Sequence, residues 1–200
     1  LRLLSDRIDA KLTIIADVSK GFYAGAINGR IDNYRLASVG IFNIDSKLDL
    51  KTGAKGGFAI EGRVRARSTR ITNDSVASFL GGQIVAAANV RYGTDGVVRV
   101  SNVQLESPLV HVTGGSGSYD PGGRIALNLN AQTERYGPIT LALDGTLNSP
   151  HAVINAAHPG FGIGLADLSA EVTGKNGVYG LKAKGRQDYG PLVADVTLDL

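Results

Sequence analysis

Cysteine, methionine and tryptophan are all absent from this chain of 200 residues, and each absence excludes something different. Without cysteine there is no disulfide, no thiolate nucleophile and no Cys-ligated metal site. That lack suits an oxidising compartment where stray thiols are avoided, although cytosolic chains also do without them. Without tryptophan, and with aromatics at 6%, no large ring is there to anchor a compact core. With no methionine even at position 1, and Leu200 falling in mid-strand, residues 1–200 read as a single fragment of a longer protein. The formal charge of +3 is small and spread along the chain, which argues against a nucleic-acid partner. No run approaches the ~18 apolar residues of a membrane-spanning helix, and no signal peptide is visible.

What the chain does have is glycine, 27 residues, about double the usual share. It has no collagen-like period, so the glycines read as many turns and bends. Between them runs one repeated pattern of alternating apolar and polar residues. Phe42, Ile44, Leu48 and Leu50 point one way, and Asp45, Lys47, Asp49 and Lys51 the other. Leu192, Ala194, Val196, Leu198 and Leu200 alternate in the same way with Val193, Asp195, Thr197 and Asp199. Side chains of a strand alternate faces with period two, so each run has one oily and one wet side.

The pattern predicts strands at 11–18, 22–33, 40–51, 58–68, 83–92, 97–105, 109–119, 124–131, 139–147, 165–174, 178–185 and 192–200. Turns are expected at 52–57, at Gly93-Thr94-Asp95-Gly96, at Asp120-Pro121-Gly122-Gly123 and at Lys175-Asn176-Gly177. One interruption near 73–80 reads as a short helix, capped by Asn73 or Asp74 and closed by Gly81-Gly82. Tyr136-Gly137-Pro138 recurs as Tyr189-Gly190-Pro191, each opening an alternating run, either as a structural repeat or as two similar turns.

Nothing here points to an enzyme. His111 lies within a strand, on its polar side or at an edge. His151 and His158 stand seven apart in a loop-like region, without the spacing of a metal pair. Gly114-Gly115-Ser116-Gly117-Ser118 lacks the lysine of a phosphate loop and opens no helix, so it reads as a narrow strand or bulge. The glycines of Pro159-Gly160-Phe161-Gly162-Ile163-Gly164 precede a strand pattern rather than the helix a dinucleotide fingerprint requires. No cofactor is expected. Arg63, Arg65 and Arg67 share one strand face and, with Arg70, form the one basic cluster. It is either a solvated or edge-protecting face, or a contact for anionic headgroups or a partner.

An oily sheet face must leave water, and a second sheet, closure into a barrel, or curling into a trough around something apolar would each achieve that. Small lining residues and few aromatics favour the trough. The fold class expected is therefore all-β, an elongated, curved open sheet forming a hydrophobic groove, with a β-sandwich or β-solenoid as the alternative. Groove lining is assigned to Phe42, Ile44, Leu48, Phe58, Ile60, Val64, Leu127, Leu129, Leu141, Leu143, Leu181, Leu192 and Val196.

Several stretches also resemble the periplasmic TamB family of AsmA-like, repeating-β-groove proteins. They are 33–42 (NYRLASVGIF), 70–82 (RITNDSVASFLGG), 112–119 (VTGGSGSY), 162–168 (GIGLADL) and both Tyr-Gly-Pro sites. These motifs are structural rather than catalytic and span essentially the whole chain. The resemblance implies an interior segment of a long bridge, anchored in the inner membrane and crossing the periplasm toward the outer membrane. It implies phospholipid as cargo in an apolar groove. It also implies an outer-membrane β-barrel partner of the full-length protein, and as an alternative role a non-transporting module supporting outer-membrane protein assembly.

Overall fold

The computed structural model describes residues 1–37, 39–52, 57–146, 148–160, 164–175 and 178–199, the side chains of 18, 198 and 199 excepted. The turn expected within 53–56, Asn176-Gly177, the 161–163 part of the glycine-rich stretch, Leu147 and Leu200 lie outside the described residues, as does the Leu198 side chain.

The chain divides into two units, Leu1–Pro108 and Leu109–Leu200. The first holds β1 (Arg2–Leu4), β2 (Ile8–Asp17), β3 (Phe22–Leu36), β4 (Gly40–Thr52), β5 (Phe58–Ile71), β6 (Val85–Gly93) and β7 (Val98–Glu106). A 3₁₀ turn, Val18–Lys20, joins β2 to β3, and helix α1 (Asp74–Leu80) lies between β5 and β6. The second holds β8 (Val110–Tyr119), β9 (Arg124–Thr133), β10 (Gly137–Thr146), β11 (Ser149–Ala156), β12 (Ala166–Lys175), β13 (Val178–Gln187) and β14 (Gly190–Asp199).

Within each unit every strand pairs antiparallel with its neighbour in sequence, giving an open meander. The all-β open sheet expected from the alternation is what forms. Neither unit is a sandwich, which would pack a second sheet on the first, nor a solenoid, which would stack parallel strands. The chain exposes 12805 Å². Two separate compact globules, each half its 20.8 kDa mass, would expose only about 10,800 Å² by surface scaling. One layer of sheet in each unit accounts for the excess.

Turn chemistry closes the hairpins as anticipated. Gly96 N–H bonds the Gly93 carbonyl at 3.0 Å, with Gly96 at φ 72°. Gly123 N–H bonds the Asp120 carbonyl at 2.9 Å, and the Asp120 carboxylate accepts from Arg124 N at 3.0 Å. Helix α1 forms where the caps predict. The Asn73 side chain accepts from Val76 N at 3.0 Å, and left-handed Gly81 returns its N–H to the Ala77 carbonyl at 2.8 Å. Both Tyr-Gly-Pro sites open a strand, β10 and β14, with glycine at positive φ of 68° and 133°.

Among the described residues, five register shifts break the strict alternation. Three of these bulges contain the only described non-glycine residues at positive φ, Asn33, Asn102 and Asp167. Asn and Asp enter the left-handed region at low cost, and a bulge returns the next side chains to the proper face. Thus Ile31 and Tyr34 share a face although they stand three positions apart. The Gly114–Ser118 stretch is likewise a strand with a bulge, between Val112 and Gly114.

Two elements differ from expectation. Strand β1 is added ahead of β2, and Ser149–Ala156, which reads as loop, is strand β11, so His151 stands on a strand. Most of the few core residues lie toward one end of each unit, Ala59 near the start of β5 excepted. In the first, Phe42 and Ser68 face each other, and Leu80 and Ile84 are buried with α1 packed against β5. In the second, Val110, Val112, Ala156 and Leu165 are buried.

Candidate functional site

Residues directly opposite one another on neighbouring strands share a face, so the register builds each face row by row. In the first unit one row runs Leu12, Ile27, Leu48, Gly62, Val90, Val100. Beside it run Ile14, Gly25, Leu50, Ile60, Tyr92, Val98 and, on the other side, Ala10, Gly29, Ser46, Val64, Ala88, followed by Ile8, Ile31, Ile44, Ala66, Ala86, Leu105. In the second unit the rows are Gly117, Leu127, Leu143, Ala152, Val172, Leu181, Val196 and Gly115, Leu129, Leu141, Ile154, Ala170, Ala183, Ala194.

Each unit therefore carries one almost wholly apolar face. The six residues assigned from sequence in the first unit share its face: Ile44, Leu48 and Ile60 in the rows above, Val64 opposite Ser46, Phe58 opposite Thr52, and Phe42 opposite Ser68. The rings of Phe58 and Tyr92 lie 5.8 Å apart there, tilted at 53°. The seven assigned in the second unit share the other apolar face, Leu192 lying opposite Gly185. Sequence reasoning left out Ile154 and Ala152, because β11 was not read as a strand. It also left out Leu105, because the bulge at Asn102 hides its phase. Ile139, Val90 and Val100 carried the same alternation and could have been found from it.

The two sides of each sheet differ in exposure. On β9 and β10, Leu127, Leu129, Leu141 and Leu143 are half-buried while Asn128, Asn130, Thr140 and Ala142 are exposed. Among the described residues, no second layer covers the apolar side along these strands. The shielding comes from neighbouring side chains on a face that curls inward, as the bulges allow. At one end of each unit the face is shielded, around Ser68 (1% exposed), Leu80 and Ile84 in the first, where α1 packs on β5, and around Ala156 and Leu165 in the second.

The opposite faces are polar and charged. Several of their carboxylates are engaged: Arg2–Asp9 at 2.8 Å, Arg30–Asp32 at 2.9 Å, Arg99–Asp95 at 2.7 Å, Arg186–Asp167 at 2.9 Å, and Lys51 with Glu61. All are solvent-exposed pairs, individually worth little. Their partners hold the Asp9, Glu61 and Asp95 carboxyls below the usual range, chiefly through the side-chain hydrogen bonds from Arg2, Lys51 and Arg99. His151 bridges three strands, with Nδ1 3.2 Å from Asp144 on β10 and Nε2 3.1 Å from Glu171 on β12. Those two hydrogen bonds, Asp144 first, raise its pKa.

Arg63, Arg65 and Arg67 all lie exposed on the polar face of the first unit. Arg63 stands opposite Lys47 and Asn89, Arg65 opposite Asp45 and Ala87, and Arg67 opposite Asn43 and Val85. Arg63 donates to the Gln104 side chain at 3.0 Å. Among the described residues no three His, Asp or Glu side chains gather as a metal-ligand set, and no helix is long and apolar enough to cross a membrane.

No protein-family model, no curated protein and no solved structure matches the chain.

Proposed function

We propose that the apolar faces of this chain hold the acyl chains of phospholipid. In this reading the chain is an interior segment of a periplasmic bridge that carries lipid between the inner and outer membranes of a Gram-negative-type envelope. One observation carries it: in each unit an apolar face crosses consecutive strands with no protein layer over most of its length. The resemblance to the TamB family points the same way.

The energetics suit that task. Each acyl methylene exposed to water costs about 0.8 kcal/mol, so a ~16-carbon chain faces roughly 12 kcal/mol in free solution. A lining of Leu, Ile, Val and Ala replaces the bilayer and removes most of that barrier. Apolar contacts are non-directional, so no site along the rows holds a chain in one position. The headgroup stays at the wet, open side.

Native mass spectrometry of the purified chain after incubation with phospholipid vesicles tests the reading. Bound phospholipid, lost on Leu141→Asp with Leu143→Asp, is the expected result. A ligand-free chain under the same conditions would overturn it and favour a structural or assembly module working with a barrel partner.

A further inference from the structure

One row on the polar face of the first unit sets two cations directly opposite each other. Across β2 to β6 the row runs Lys11, Asn28, Lys47, Arg63, Asn89, with no carboxylate in it. Lys47 and Arg63 stand directly opposite each other, a like-charge pairing that costs the sheet stability. Arg65 and Arg67 extend the row along β5. Lys11, Lys47, Arg65 and Arg67 make no ion pair among the described residues, although Asp45 lies opposite Arg65. By contrast Arg2, Arg30, Lys51 and Arg99 of the same unit are each bound to a carboxylate. An open depression of about 340 Å³ lies over the Lys11–Lys47 part of the row and stops short of Arg63, lined by Lys11, Asn28, Gly29, Ser46 and Lys47 together with Arg2, Arg30, Asp9 and Asp45.

Unmatched cations set side by side are stabilised by an anion that bridges them. Neighbouring strands are ~4.8 Å apart, close enough for Lys47 and Arg63 to hold one tetrahedral oxyanion between them. The exposed guanidinium of Arg63 offers the planar fork that suits phosphate oxygens, and Lys47 adds a point charge. Arg65 and Arg67 repeat the guanidinium at ~6.8 Å steps along the strand, which suits several phosphates presented together.

We propose that Lys47 and Arg63, flanked by Lys11, Arg65 and Arg67, form a binding site for phosphate-bearing anions on the polar face of the first unit. The site stands apart from the lipid reading, because it uses the face opposite the apolar rows.

The test is binding of the chain to vesicles of phosphatidylglycerol with phosphatidylcholine, to phosphatidylcholine alone, and to inorganic phosphate and pyrophosphate by calorimetry. Binding that requires the anion and weakens with salt is expected. Neutralising Lys47→Gln with Arg63→Gln should lower affinity about 25-fold, at about fivefold for each charge near an anionic surface. Lys182→Gln with Lys184→Gln, on the polar face of the other unit, should leave it unchanged. Binding to the anionic vesicles alone assigns the phosphate to a headgroup, and binding to the soluble anions as well assigns it to free phosphate. The Lys47→Gln, Arg63→Gln chain should melt close to the parent, because relief of the like-charge contact offsets loss of the exposed Arg63–Gln104 hydrogen bond. No anion-dependent binding, or an equal loss in both double variants, would overturn the proposal.

Discussion

Gly115 on β8 lies so close beneath Leu129 on β9 that a Cβ added to it would sit 2.5 Å from Leu129 Cδ2 and 2.6 Å from the Asn128 carbonyl oxygen. The glycine lets two strands of the apolar face approach closely without displacing a leucine from its row. Gly114, its neighbour in the bulge, has nothing within 4 Å of such an atom. Gly115→Ala should therefore cost about 1–3 kcal/mol through overpacking. Gly114→Ala should stay within about 0.5 kcal/mol. Urea denaturation of the two variants measures the difference, and equal midpoints would refute the close approach.

Ser68 and Ile84 exchange two hydrogen bonds in the covered end of the first unit. Ser68 N–H donates to the Ile84 carbonyl and Ile84 N–H donates to the Ser68 hydroxyl, both at 2.9 Å, with Ser68 1% exposed. Ser68→Ala removes the acceptor and leaves a buried N–H without a partner, at about 1–3 kcal/mol. Hydrogen exchange at the Ile84 amide should accelerate along with the loss of stability.

His151 supplies a pH dependence. Its hydrogen bonds to Asp144 and Glu171 raise its folded-state pKa above the ordinary 6.5. The bridging is then complete below about pH 6.5 and is lost as pH rises through the higher folded value. The melting temperature of the parent chain should fall as pH rises above about 6.5, and His151→Gln should flatten that slope. On the acid side Glu61 and Asp95, held low by Lys51 and Arg99, lose their contribution as pH drops through their depressed values. A parent and a His151→Gln chain with superimposable alkaline profiles would remove the three-strand bridge from consideration.

The two faces of β10 can be told apart by charge insertion. Leu141→Asp and Leu143→Asp place a carboxylate on the apolar face and should abolish lipid retention. Ala142→Asp, on the exposed side between Asn128 and Val153, should leave it intact. Asp144 lies on that same side but is unsuited as a control, because changing it also breaks the His151 bridge. Lipid binding measured by native mass spectrometry in the three variants decides the matter, and equal losses on both sides would sink the groove reading.

Much of this was legible in the residues. The alternation of β4, β10 and β14 places most of their large apolar residues on one face, and Asp120 to Gly123 announces its turn. The hidden parts have physical reasons. In β7, Val98 and Val100 set a phase that Asn102 shifts by one, so Leu105 returns to their face only because a bulge intervenes. In β11, Pro150 and His151 near the start and small Ala152 and Ala156 mask a strand that its two neighbours hold by ladder bonds. The opposition of Lys47 and Arg63 depends on register, which no single strand encodes.

The meander also decides how such a protein comes apart. Every ladder within a unit joins strands adjacent in sequence, so the backbone pairings close short loops and give a low contact order for a β protein. Stability is then close to a sum of nearest-neighbour hairpin terms, in the manner of a linear repeat array. Damage stays local: a weakened ladder opens the strands beside it while distant hairpins in the unit keep their protection, and amide exchange would rise as a gradient rather than as one cooperative step.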